Sequence, residues 1–167
     1  KLGGSIKSGF AAATGDVVLY TDADLPFDFR EVHKALRLMH QYEADIVAAY
    51  RFDRTDEGFV RVVYSFLYNL LVRALFGCRF RDVNFAFKLV RRNVLDTIEL
   101  TSEGSFIDAE LMVSARKLGM SVVQFGVDYF PRTRGVSTLS SPSVIVKILK
   151  EAWSLRAKLN ALTPKKS

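Results

Sequence analysis

The run Asp16-Val17-Val18-Leu19-Tyr20-Thr21-Asp22-Ala23-Asp24 leaves few ways to fold the chain around it. Its apolar, β-favouring middle makes a short buried strand that delivers two carboxylates, one residue apart, at its end. In an open α/β sheet, ligands gather at the carboxyl ends of the strands. Residues i and i+2 of an extended segment point the same way, so Asp22 and Asp24 are expected to reach one small volume. Two hard oxygen ligands there suit Mg²⁺ or Mn²⁺, which complete their shells with water and phosphate oxygens. Taken alone, an Asp-X-Asp at a strand end is better explained as the cap of the next turn. The blocks that follow reverse that balance.

Before this strand, residues 1–14 read as a helix entered through Gly3-Gly4, with Ile6, Phe10 and Ala13 on one side and Gly15 as its C-cap. Glycines at a helix entrance can cradle phosphate, a weak signal by itself. Pro26 and Asp28 predict a turn and an N-cap for a helix over 29–42, with Phe29, Val32, Leu36 and Met39 on one face. His33 and His40, on or beside it, have no ligand spacing and read as surface residues. A second buried strand over 44–50 ends at Arg51, again at a carboxyl end, and the charged loop to Gly58 reads as a solvated connection that would also suit a lid.

The helix expected over 59–76 is apolar nearly all round. Only Arg61, Ser65, Asn69 and Arg73, four residues apart, draw a narrow polar seam along it. Such a helix belongs either in a core, with its arginines snorkelling to water, or in a membrane interface. A strand over 84–90 alternates enough to be half exposed, and a short helix over 92–98 follows. The helix from Ile107 to Leu118 carries Asp108 and Glu110 in its first turn, as dipole partners. A strand over 121–130 leads to a basic loop containing Arg132. The last helix, opened by Pro142 and Ser143, is amphipathic, with Ile148, Ala152, Leu155 and Leu159 among its apolar residues and Lys147, Lys150 and Lys158 largely opposite. The tail from Pro164 to Ser167 is expected to be disordered.

Strands alternating with helices define an α/β sheet covered on both sides. The 167 residues make one domain, and a net charge of +6 favours an anionic partner, whether phosphate or an acidic membrane face. No zinc-ligand cluster, aromatic RNA-binding motif or helix-turn-helix spacing is present, so nucleic acid is not an expected partner. The single Cys78 excludes an internal disulfide and fits a reducing compartment. No signal peptide is visible, and Arg61 and Arg73 break the longest apolar stretch, so no spanning helix is expected. The chain begins at Lys1, with neither Met nor a leading strand, and reads as part of a longer protein.

The order of the motifs resembles family 2 glycosyltransferases of the GT-A fold. Gly3-Gly4-Ser5-Ile6 through Gly9, Ala13-Thr14-Gly15-Asp16 and Asp22-Ala23-Asp24 carry the first part of the resemblance. Asn84-Phe85-Ala86-Phe87-Lys88-Leu89, Ser105-Phe106-Ile107-Asp108-Ala109-Glu110-Leu111 and Arg132-Thr133-Arg134-Gly135-Val136-Ser137 look like the later blocks. The subgroup most similar is that of the dolichyl-phosphate mannosyltransferases and polyprenyl-phosphate glycosyltransferases. The resemblance implies a Rossmann-like, mixed, mainly parallel sheet with helices on both faces. Residues 1–140 would be the C-terminal portion of the catalytic domain, and 141–167 an amphipathic helix with a basic tail.

By the same resemblance, Asp22 and Asp24 would hold Mg²⁺ or Mn²⁺ on the diphosphate of a nucleotide sugar, with Asp24 and Asp108 at the chemistry. Arg51, Arg61, Ser65 and Arg132 match positions around the acceptor phosphate. Pro26 stands where the subgroup often has a polar side chain assisting the metal, Thr138 replaces a usual Lys, and the base-binding first βαβ portion is absent from this chain. The expected activity is inverting transfer of a sugar from a nucleotide-diphosphate sugar to a polyprenyl phosphate. The expected location is cytoplasmic, peripheral at an anionic membrane face. Two rivals stand beside it: transfer to a sugar hydroxyl, with Asp108 as base, and a catalytically silent domain that docks on membranes or partners. A nucleotidyltransferase making activated sugars is a weaker third.

Overall fold

The computed structural model describes residues 2–52, 59–130 and 142–164, the side chains of 59–61 and 142–145 excepted. The alternation read in the sequence becomes α1 (Leu2–Ala12), β1 (Val17–Thr21), α2 (Glu31–Gln41), β2 (Ile46–Arg51) and α3 (Phe59–Phe76). It continues as β3 (Phe87–Arg91), α4 (Arg92–Thr97), α5 (Ile107–Lys117), β4 (Val122–Val127) and α6 (Pro142–Asn160). The charged loop at 53–58, the basic loop around Arg132 and the tail beyond Pro164 lie outside the described residues.

One mixed sheet forms in the order β1-β3-β2-β4. β3 is antiparallel to both β1 and β2, while β2 and β4 are parallel. Three strands therefore share a direction, and β3 is slotted in against them. The order corrects two expectations of burial. β1 is only half-buried along its length, because among the described residues β3 alone flanks it. β3 is central and buried from Phe87 to Val90 instead of half exposed. Its alternation misleads because the polar residue in it, Lys88, points into the core.

Each face of the sheet buries its own apolar set. On one, Ile46, Ala48, Val90 and Val122 meet Ile6 and Phe10 of α1, Val72 and Phe76 of α3, Val94 of α4, and most of α5. Ile148, Ala152 and Leu159 bring α6 into that same core. On the other, Val47, Phe87, Leu89 and Phe125 meet Ala35 and Met39 of α2. The helix α2 starts two residues later than its sequence pattern indicates. Asp28 turns its carboxylate back to the backbone N–H and guanidinium of Arg30 instead of capping the helix, which leaves Phe29 exposed.

Gly3 is explained by packing. A Cβ built there would lie 2.3 Å from the Ser102 carbonyl oxygen and 2.8 Å from the Glu103 carbonyl carbon. The Gly3 N–H also donates to the Glu103 carbonyl at 3.0 Å, so α1 rides directly on the 102–103 backbone. That backbone has little freedom to retreat, because buried Glu110 accepts from the N–H groups of Thr101 and Ser102 at 2.9 and 2.8 Å. Gly3→Ala is expected to cost about 1–3 kcal/mol in denaturant unfolding, as overpacking does. Gly4→Ala, whose nearest contact is a flexible Glu103 oxygen at 3.8 Å, should cost far less. Equal effects would refute the close-contact explanation.

Candidate functional site

β1 delivers its acids as expected, but through a turn. After Thr21 the chain leaves the extended conformation, and the Leu25 N–H donates to the Asp22 carbonyl at 3.2 Å. Asp22 is half-buried and Asp24 exposed, so their relation is set by this turn and not by strand alternation. The exit of the turn is anchored. Phe27 is buried edge-on against Phe85 and Phe87, with ring centroids 6.2 and 4.8 Å away, and the Phe130 N–H donates to the Pro26 carbonyl at 2.9 Å. Leu25 sits at φ 43°, in the left-handed region that a branched side chain rarely adopts. The acidic turn is thus held in one costly conformation by its surroundings.

Behind this turn lies a polar cluster in the core. Tyr20 of β1, Lys88 of β3, Ala48 of β2 and Gln124 of β4 form one cross-strand row. Lys88 is 1% exposed; its ammonium donates to the Asp108 carboxylate of α5 and, at 2.9 Å, to the Phe85 carbonyl. It also lies 5.5 Å from the centre of the Tyr20 ring. Asp108 is 6% exposed. Burial pushes its carboxyl group up from the ordinary range, Lys88 opposes this, and the charge of Asp82 adds to it. The Tyr20 hydroxyl is raised by burial first, then by the charges of Asp108 and Asp22. Tyr68 of α3 is raised by burial, with Asp108 adding. Asp22 and the buried pair therefore share one electrostatic neighbourhood around Tyr20.

A second ion pair lies at the end of β2. The Arg51 guanidinium grips Asp82 through two bonds, Nε to Oδ2 at 2.6 Å and Nη2 to Oδ1 at 2.7 Å, with side-chain exposures of 8% and 2%. Phe85 and Tyr129 place their rings 5.7 and 5.3 Å from it. Asp82 is also at positive φ, 46°. The polar seam of α3 reaches the same loop from the other side: Asn69 donates to the Ser65 carbonyl at 2.8 Å and accepts from the Val83 N–H at 3.2 Å. Arg51 and Asn69 of the seam thus meet at 82–85. The Arg61 side chain and Arg132 lie outside the described residues.

Sequence reasoning passed over Lys88 and Asp82. A signal for Lys88 was present, since a lone Lys in Phe85-Ala86-Phe87-Lys88-Leu89-Val90 is complementary to an acid, and the start of α5 carries two, Asp108 and Glu110. Glu110, flagged as a dipole partner, is instead a fully buried clamp on the 101–102 backbone.

The sheet, its helices and the acidic turn define a GT-A fold, and solved structures agree. Glucosyl-3-phosphoglycerate synthase from Mycobacterium tuberculosis, in complex with Mg²⁺ and uridine-diphosphate, superposes with a TM-score of 0.68 at 15% identity, covering 98% of this chain and 56% of that one. The same enzyme with Mn²⁺, uridine-diphosphate-glucose and phosphoglyceric acid gives 0.62 at 19% identity, covering 90% and 54%. The sequence profile described as glycosyl transferase family 2 matches residues 1–99, and the chain belongs to that family.

Among curated relatives, glycosyltransferase AglD of Haloferax volcanii is 33% identical over 135 residues, 78% of this chain and 22% of that protein. Dodecaprenyl-phosphate galacturonate synthase of Rhizobium johnstonii is 24% identical over 136 residues, 80% of this chain and 39% of that protein. Polyprenol monophosphomannose synthase of Mycolicibacterium smegmatis is 31% identical over 104 residues, 60% of this chain and 39% of that protein. The chain spans about a fifth to two fifths of the length of these relatives.

Proposed function

We propose that the protein transfers a sugar, with inversion, from a nucleotide-diphosphate sugar to a polyprenyl phosphate at the cytosolic face of a membrane. The observation that carries this reading is the anchored Asp22–Asp24 turn at the carboxyl end of β1, in a chain of this family. Two relatives named for polyprenyl-phosphate products support the lipid acceptor.

The donor set fits a hard divalent cation. Among the described residues no group of three acidic, His or Cys side chains could hold a metal, so Asp22 and Asp24 would share it with diphosphate oxygens and water. Such a cation, when bound, neutralises charge growing on the leaving diphosphate. Arg61, Ser65 and Arg132 are assigned to the acceptor phosphate. Arg51, gripped by Asp82 beneath two rings, shapes that wall of the site. A phosphate monoester is already ionised near neutral pH and needs no strong base. Asp108, engaged by Lys88, acts in this reading as a positioning residue, which favours a phosphate acceptor over a hydroxyl.

The exposed surface suits a lipid substrate. No described helix is long and apolar enough to cross a membrane. Yet α3, packed beside α6, exposes Phe66 (66%), Leu67 and Leu70, and α6 exposes Val146, Leu149 and Trp153 (67%). Arg156 lies over the Trp153 ring at 5.4 Å. Apolar side chains beside cations are the composition of an interfacial surface.

The test supplies the full-length protein with labelled nucleotide sugars and either vesicle-embedded polyprenyl phosphate or a short-chain, water-soluble analogue. Label is expected on both. Phe66→Glu combined with Trp153→Glu should lower transfer to the vesicle acceptor several-fold and spare the soluble one. Label reaching only sugar hydroxyl acceptors would reject the proposal.

A further inference from the structure

On the opposite side of the sheet from the Arg51–Asp82 pair, a cleft of about 330 Å³ is lined by Tyr50, Arg79, Phe80, Arg81 and Gln124. Tyr50 alternates with Arg51 along β2, and Arg81 precedes Asp82, so neighbouring residues serve opposite faces. The cleft is well built. The Gln124 side-chain amide accepts from the Arg81 N–H at 2.9 Å and donates to the Arg81 carbonyl at 2.7 Å, fixing that backbone from both sides. The Arg81 guanidinium donates to the Tyr50 hydroxyl at 3.1 Å. Tyr50 itself lies against Gly126, where a Cβ would come within 3.4 Å of its ring. Phe80, partly buried against the core, leaves the exposed Arg79 and Arg81 on either side of it.

Among the described residues the charge here is uncompensated. Neither Arg79 nor Arg81 pairs with a carboxylate among the described residues. Other cations are close: Lys117 and Arg116 at the end of α5 act on Cys78, next to Arg79. Elsewhere in this protein the guanidinium of Arg51 has its acid, and those of Arg91 and Arg92 have carbonyls. Two guanidiniums and a hydroxyl around an open cleft, with no acid among the described residues that line it, make a receptor for a tetrahedral oxyanion. The volume admits a phosphate group with part of what it esterifies.

We infer that Tyr50, Arg79 and Arg81 form a second anion site, specific for phosphate or diphosphate groups and separate from the Asp22–Asp24 turn. It does not depend on the transfer reaction proposed above. The phosphate can come from a soluble ligand or from an anionic lipid headgroup, and the same chemistry serves both.

The experiment titrates the full-length protein with pyrophosphate in EDTA, so that no divalent ion bridges the anion to Asp22 or Asp24. Saturable binding is expected, weakened at least about tenfold by Arg79→Ala or Arg81→Ala and unchanged by Asp24→Ala. Arg79 is exposed and makes no side-chain hydrogen bond among the described residues, so Arg79→Ala should keep the wild-type unfolding midpoint. In parallel, phosphatidylcholine vesicles with and without phosphatidylglycerol are co-sedimented with the same variants. Loss of phosphatidylglycerol-dependent binding in Arg79→Ala identifies a lipid headgroup. Loss of pyrophosphate binding alone identifies a soluble phosphate. If Arg79→Ala matches the wild type toward both probes, or if Asp24→Ala abolishes the pyrophosphate binding, the site does not exist.

Discussion

Asp24→Ala in the full-length protein is expected to lower sugar transfer at least about a hundredfold, the scale of losing one preorganised electrostatic stabiliser. Asp24 is the exposed member of the acidic turn, and its side chain fills no part of the core. The turn is held by Phe27 and by the bond from Phe130 to Pro26, neither of which involves the Asp24 carboxylate. The loss of activity should therefore far exceed any loss of stability, and the fold should persist. Asp22→Ala should also abolish transfer, with some added effect on folding because Asp22 is half-buried near Tyr20. Initial rates across a Mn²⁺ titration, with unfolding curves alongside, separate activity from folding. Near-normal turnover by Asp24→Ala at modest Mn²⁺ would remove the carboxylates from the metal site.

The elements were legible because each is a local pattern. The apolar cylinder of α3 runs over the residues its sequence marks, and the strand into Asp22 needs only its own β-favouring side chains. Strand order was not legible. Placing β3 between β1 and β2 depends on pairings such as Leu89 with both Leu19 and Val47, which no window of sequence contains. From that placement follow the burial of Lys88 and the half-exposure of β1. The two acids were placed after β1 by the sequence, but strand alternation does not extend to them: it stops at Thr21. Gly3 shows the same limit. A glycine at a helix entrance can mean phosphate or close packing, and only the position of the 102–103 backbone decides. Arg51 was likewise marked by its strand-end position, while its acid, Asp82, comes from a loop 31 residues away.

The largest stability effect is expected at Lys88. Its ammonium has two acceptors, the Asp108 carboxylate and the Phe85 carbonyl, and both ions are almost fully enclosed. Lys88→Met keeps most of the side-chain volume and removes the charge, leaving a carboxylate buried without its cation. Breaking a buried pair from one side costs about 3–5 kcal/mol, a large share of a typical domain's stability. Replacing both partners, as in Lys88→Met with Asp108→Leu, should recover most of that loss, because no unpaired charge remains. The pH dependence has a definite sign. Burial already raises the Asp108 pKa, and removing Lys88 takes away what opposes the rise. A carboxyl group whose folded pKa lies above its unfolded value binds its proton more tightly when folded. The destabilisation is then absent below the unfolded pKa, near 4, and grows as pH rises through the folded one. Denaturant unfolding of the wild type, Lys88→Met and the double variant between pH 4 and pH 8 should show a deficit in Lys88→Met that is greatest at neutral pH and shrinks toward pH 4. A Lys88→Met protein as stable as the wild type at pH 7, or a double variant no better than the single one, would mean that the Lys88–Asp108 pair does not hold the core behind the site.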